Sequence, residues 1–124
     1  MAMSPGILLF AHGARDPAWA QPFEAIRDRV RDRRPGCPVE LAFLELMKPS
    51  LPDALHCLVL QGATAITIFP LFMAQGGHLK KDLPRIVEEL RQAHPGVSIA
   101  VQTAVGDVPE ILDAIAAWIF SRAP

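Results

Sequence analysis

Apolar and polar positions along the chain fall into two alternating kinds of segment. Four short runs, 7–11 (ILLFA), 39–44 (VELAFL), 65–69 (AITIF) and 97–101 (VSIAV), are mostly apolar and bounded by Gly or Pro. Runs of this kind are expected of parallel strands covered on both faces.

The segments between them carry helical spacing. Trp19, Phe23, Ile26 and Val30 form the inner stripe of a first helix, with Asp16-Pro17 placed as N-cap and first residue. Ser50 and Asp53 read as a capping box for a second helix to about Leu60, with Leu51, Leu55, Leu58 and Val59 inward and Gly62 as its stop. A third helix is expected over roughly 83–93, with Ile86, Val87 and Leu90 inward. Asp107 with Glu110 opens a fourth, whose Ile111, Leu112, Ile115 and Ile119 form the apolar face. Pro35-Gly36 and Pro95-Gly96 end basic helices and release the chain into the next strand.

The order is therefore β-α-β-α-β-α-β-α over one domain spanning 1–124. Right-handed crossovers then imply an α/β three-layer sandwich of the flavodoxin-like kind, its four-stranded parallel sheet in the order 2-1-3-4.

In such a sheet ligands bind beyond the carboxyl ends of the strands, where the winding reverses between the first and third strands. His12-Gly13 follows the first strand, Glu45 the second, and Gln75-Gly-Gly-His78 the third. Two imidazoles and one carboxylate thus share one edge of the sheet. They suit borderline divalent metals, and few protein ligands leave positions open for a substrate. The same imidazoles can instead move protons near neutral pH. Glycine beside each histidine lets a bulky ligand approach the backbone. His56 and His94, on the second helix and at the tail of the third, read as a surface residue and a helix C-terminal dipole partner.

Composition narrows the classes. The 124 residues are 51% hydrophobic and carry a net charge of −1, so there is no general positive field for nucleic acid or an anionic membrane. No apolar stretch approaches the roughly twenty residues of a membrane span, and no charged, then apolar, leader opens the chain. Cys37 and Cys57 lack CxxC spacing and fit a reduced compartment. The expectation is a cytoplasmic protein. A flavin domain is disfavoured because the first loop lacks a phosphate cradle, and a receiver domain because no acidic pair follows the first strand. A histidine phosphatase would need an arginine immediately before His12.

Three ordered motifs carry a family resemblance. Residues 8–17 (LLFAHGARDP), 43–51 (FLELMKPSL) and 69–84 (FPLFMAQGGHLKKDLP) resemble the motifs of the CbiX-type sirohydrochlorin chelatases, the class II, ATP-independent tetrapyrrole chelatases. The resemblance implies a lyase that inserts Co(II), Fe(II) or Ni(II) into sirohydrochlorin in cobalamin, siroheme or coenzyme F430 biosynthesis, with no permanently bound cofactor. His12 and His78 match the family's paired metal-binding histidines, which also help to remove the pyrrole protons. Glu45 matches an acidic position near that site. Ala14 stands where the family usually carries serine, which removes one hydroxyl from the first loop.

Sirohydrochlorin carries eight carboxylates, and Arg15, Lys80, Lys81 and Arg85 lie beside the two histidines as candidate contacts. The competing reading of these charges is solvated surface, or an Arg15–Asp82 pair. Leu71, Phe72, Met73 and Leu79 read mainly as core, with some left to line a wall for the macrocycle. A non-catalytic metal or tetrapyrrole carrier using the same loops is the alternative function. Longer members of the family hold the tetrapyrrole between two such lobes, so a single lobe implies a homodimer, with Trp118 and the last helix as its candidate interface.

Overall fold

The computed structural model describes residues 3–124. The absence of a leader was read partly from residues 1 and 2, which lie outside the described residues. Four strands, β1 (Pro5–Ala11), β2 (Val39–Phe43), β3 (Ala65–Pro70) and β4 (Ser98–Val101), form one parallel sheet in the order β2-β1-β3-β4. Leu9 stands at the centre of the register, opposite Leu41 on one side and Phe69 on the other. The expected fold class and strand order are those observed.

Four α-helices accompany the strands: α1 (Gln21–Arg33), α2 (Leu51–Leu60), α3 (Gly77–Ala93) and α4 (Pro109–Arg122). Strand alternation divides the core in two. Leu8, Phe10, Ile66, Ile68 and Ile99 point to one face, where Leu55 and Leu58 of α2 and Leu83, Val87 and Leu90 of α3 cover them. Leu9, Leu41 and Phe43 point to the other, where Phe23 and Val30 of α1 pack. Ser50 caps α2 by accepting from the Asp53 amide at 3.3 Å, as its sequence position implies. Gly62 then takes φ +93°, the left-handed turn that stops this helix.

Four expectations need correction. Asp16 caps a short 3-10 helix, Pro17–Ala20, and the α-helix begins only at Gln21. The Pro22 ring at the second position of α1 lacks the N–H that would continue the preceding turn. Helix α3 starts six residues before the expected position, because Pro84 lies inside it without ending it. His78, Lys80, Lys81 and Asp82 therefore sit on the first turns of a helix rather than on a loop. Finally, Asp107 does not cap α4; it closes a 3-10 turn, and Val108 precedes the helix with no side-chain cap. Nor does the apolar stripe of α4 enter the core, since none of its residues is buried.

Among the described residues no helix is long and apolar enough to cross a membrane.

Candidate functional site

The carboxyl edge of β1 and β2 builds the site. Leu44 donates its amide to the Ala11 carbonyl oxygen at 2.8 Å, which holds the two strand exits side by side. Beyond them the chain at Gly13 runs so close to Glu45 that a Cβ there would collide with the Glu45 carbonyl oxygen. Leu46 turns the second loop with φ 65°. The result brings His12 Nδ1 to 3.4 Å from Glu45 Oε1, with both side chains a little over two-fifths exposed.

His12 is held from two further directions. It lies against Phe72, ring centroids 4.6 Å apart, and Phe72 is itself anchored edge-on against Phe10 in the core. The indole Nε1 of Trp19 donates to the His12 carbonyl oxygen at 2.7 Å. His12 Nε2 makes no hydrogen bond among the described residues. An imidazole whose Nδ1 faces a carboxylate presents Nε2 as its lone pair, the usual arrangement of a metal-binding histidine.

Beside this ring opens a cavity of about 650 Å³, lined by His12, Trp19, Phe23, Leu71, Phe72 and Met73 together with Val105 and Ile111. Its walls are apolar apart from the histidine, and its size falls in the range of small-molecule sites. The turn at Val105–Asp107 is pinned there: Gly106 donates to the Phe72 carbonyl oxygen at 3.0 Å, and a Cβ at Gly106 would collide with the Met73 backbone. A second concavity of about 440 Å³, lined by Arg31, Arg34, Cys37 and Gln61, lies at the amino-terminal edge of the strands, away from these groups.

The structure brings His12 and Glu45 together but does not draw His78 into the same cluster. His78 is exposed at the second position of α3, and no three His, Cys, Asp or Glu side chains gather closely enough to hold a metal among the described residues. Arg15, Lys80 and Lys81 are exposed. The Arg15–Asp82 pair does not form; Asp82 instead faces Arg85 at 3.7 Å, and Arg85 also bonds Glu89 at 3.1 Å. The apolar run divides as follows: Phe72 and Leu79 are buried, Leu71 is half-buried, and Met73 is exposed on the cavity rim. His94 is the C-cap residue of α3, and His56 is exposed nearby, their ring centroids 6.2 Å apart. Sequence spacing placed Trp19 on the inner stripe of a helix, and nothing in the pattern pointed to its bond with the histidine loop.

Such an arrangement, a doubly wound parallel sheet carrying a histidine–carboxylate pair beside an apolar cavity at its winding reversal, defines a three-layer α/β protein whose candidate site lies where such sheets take their ligands. The sequence profile of the CbiX family matches residues 6–121, and the chain belongs to that family. It is 32% identical to a CbiX protein from Marinobacter aquaeolei VT8, with TM-score 0.83 over 94% of this chain and 95% of the other. The structure of SirB from Bacillus subtilis with Fe3+ is 27% identical, with TM-score 0.79, and covers 98% of this chain but 49% of SirB. The sirohydrochlorin cobaltochelatase of Methanothermobacter thermautotrophicus is 35% identical over 82 residues, 66% of this chain and 57% of that relative. The chain thus matches less than two thirds of the length of this relative.

Proposed function

We propose that the protein is a metal chelatase that inserts Co(II), with Fe(II) and Ni(II) as alternative substrates, into sirohydrochlorin. The observation that carries this reading is His12, which faces Glu45 and lines the apolar cavity, on a chain of the CbiX family.

The reaction exchanges two pyrrole N–H protons for one divalent metal. The incoming metal sheds water and binds His12 Nε2; when the metal passes to the macrocycle the freed Nε2 lone pair takes a pyrrole proton, while Glu45 on Nδ1 holds the ring orientation and balances the charge gained. His78, on the first turn of α3, is the second ligand and proton acceptor. Two imidazoles without thiolate give coordination weak enough to release the metal into the macrocycle. The apolar cavity wall takes the macrocycle face. Arg15, Lys80 and Lys81 take its carboxylates, and Arg85 joins them by leaving Asp82 and Glu89. One lobe encloses only part of a tetrapyrrole, so two copies form the working unit, as a homodimer.

The test is turnover. Metal-free sirohydrochlorin is mixed with each metal and the macrocycle's visible absorption is followed with the wild type, His12→Ala and His78→Ala. Acceleration over the uncatalysed reaction that falls at least tenfold in each variant is the expected result. Stoichiometric binding without acceleration identifies a carrier and overturns the enzymatic reading.

A further inference from the structure

We infer that His56 and His94 form a second divalent-metal site, apart from the one at His12, that takes borderline cations such as Ni(II), Zn(II) and Co(II). The inference stands on these two side chains and makes no use of the chelatase reading.

The fold brings together two histidines that lie far apart in the chain. Helices α2 and α3 cover the same face of the sheet. His56 is exposed in the middle of α2, His94 ends α3, and their ring centroids stand 6.2 Å apart at an interplanar angle of 38°. A metal ~2.1 Å from one nitrogen of each of two imidazoles holds their centroids about 5–6 Å apart. A small turn of the exposed His56 ring closes the difference. Of the four imidazoles, only that of His12 has a hydrogen-bonded or ionic partner among the described residues, so the pair keeps its lone pairs for a cation.

Both backbones are held. His56 sits between Leu55 and Leu58, which anchor α2 in the core with no exposure. The His94 amide donates to the Leu90 carbonyl oxygen at 3.0 Å, and the His94 carbonyl oxygen accepts the Val97 amide at 3.0 Å. Rings presented this way surrender little freedom on binding, which lets two ligands suffice.

The local field favours a cation. His94 stands at the carboxyl end of the 17-residue α3, where unpaired carbonyls carry partial negative charge. Arg91, the basic residue of that last turn, is already engaged: it donates to the Ile99 carbonyl oxygen at 2.8 Å and pairs with Glu88 at 3.5 Å. Asp53, one turn before His56, is exposed and adds negative charge on that side of α2.

The donors set the class of metal. Imidazole suits Ni(II), Zn(II), Co(II) and Cu(II), whereas Mg(II) and Ca(II) take oxygen ligands. No third His, Cys, Asp or Glu completes the group among the described residues, so water holds the remaining positions and the metal exchanges readily. One ion cannot serve both sites. His78 and His94 lie towards opposite ends of α3, on the order of 24 Å apart at about 1.5 Å per residue.

Calorimetry tests the pair in the untagged chain carrying His12→Ala and His78→Ala, which removes the other two imidazoles. Titration with Ni(II) is expected to show one equivalent bound per chain, and titration with Mg(II) none. His56→Gln or His94→Gln, each adding only one change to that background, is expected to weaken Ni(II) binding by about tenfold or more, because the second ligand no longer binds intramolecularly. Ni(II) that fails to bind the background chain, or binds it equally well after either substitution, overturns the site.

A bridge between two helices has a further readout that a single surface ring lacks. Saturating Ni(II) is expected to raise the Tm of the background chain and to leave that of either Gln variant unmoved, because only the folded chain presents both rings together. A background Tm that Ni(II) does not raise overturns the bridge. No tetrapyrrole enters either measurement and His12 and His78 are absent, so a failure of the chelatase reading leaves both results standing, and a failure here leaves the turnover test as it is.

Discussion

Trp19 Nε1 donates to the His12 carbonyl oxygen at 2.7 Å, so a residue of the 3-10 helix fixes the loop that presents the histidine. Asp16 in turn caps that helix by accepting the Ala18 amide at 2.9 Å. The chain from His12 to Trp19 is therefore one closed, hydrogen-bonded loop. Trp19→Phe keeps most of the ring contact with Phe23 but removes the donor. The expected stability loss is about 1 kcal/mol, typical of one hydrogen bond, read by urea denaturation. Metal insertion is expected to fall by more than this loss alone implies, because the loop that aims His12 loosens. A variant with unchanged turnover would remove Trp19 from the positioning of the site.

Glu45 is expected to act through His12. Glu45→Gln keeps the shape and a hydrogen-bonding side chain but loses the charge that supports a protonated or metal-bound imidazole. Loss of such a supporting group commonly costs 10–100-fold in metal affinity or activity. The expected result is a fall of that size in kcat with denaturation little changed, since both side chains are partly in solvent. A kcat within twofold of wild type would leave Glu45 a solvated loop residue.

The strands were legible because their apolar runs are short and closed by Gly or Pro, and the order 2-1-3-4 followed from the winding rule. The edge shared by His12, Glu45 and His78 was legible for the same reason: each follows the carboxyl end of a strand. The distance of His78 from that pair's cluster was not, because it depends on where α3 begins. Gly76 and Gly77 look like loop, and Pro84 looks like a helix start, yet the helix runs through Pro84 on the side facing solvent. The exposure of α4 was legible only in part: its periodicity is that of any core-facing helix, its apolar excess with Trp118 marked it as a candidate interface, and in the structure none of its residues is buried.

The basic residues beside the site are not equivalent. Arg85 is engaged with Asp82 and Glu89 along its helix, whereas Arg15, Lys80 and Lys81 have no acidic partner among the described residues. Neutralising Arg15, Lys80 and Lys81 together is expected to raise the KM for sirohydrochlorin strongly at low salt, with the difference shrinking as salt screens the carboxylates. Arg85→Gln alone is expected to change KM less, because the guanidinium must first leave two carboxylates. Initial rates across substrate concentration at two ionic strengths distinguish the two sets. An unchanged KM in the triple variant would return these charges to ordinary surface.

Gly13 offers the sharpest test of the site's geometry, because its constraint is steric and involves no charge. A Cβ at this position meets the Glu45 carbonyl oxygen and lies 3.2 Å from the Met47 side chain, so the two loops cannot keep their separation in Gly13→Ala. The backbone at Glu45 cannot yield easily, since its carbonyl oxygen already accepts the Met47 amide at 2.8 Å. Overpacking of this kind typically costs 1–3 kcal/mol, so a loss of about 2 kcal/mol in urea denaturation is expected. The His12–Glu45 contact opens at the same time, and metal insertion is expected to fall to the level of the Glu45→Gln variant or below. Combining Gly13→Ala with Glu45→Gln is then expected to add little further loss of kcat, because both act on one pair. Fully additive losses would mean that Gly13 and Glu45 act on the reaction independently.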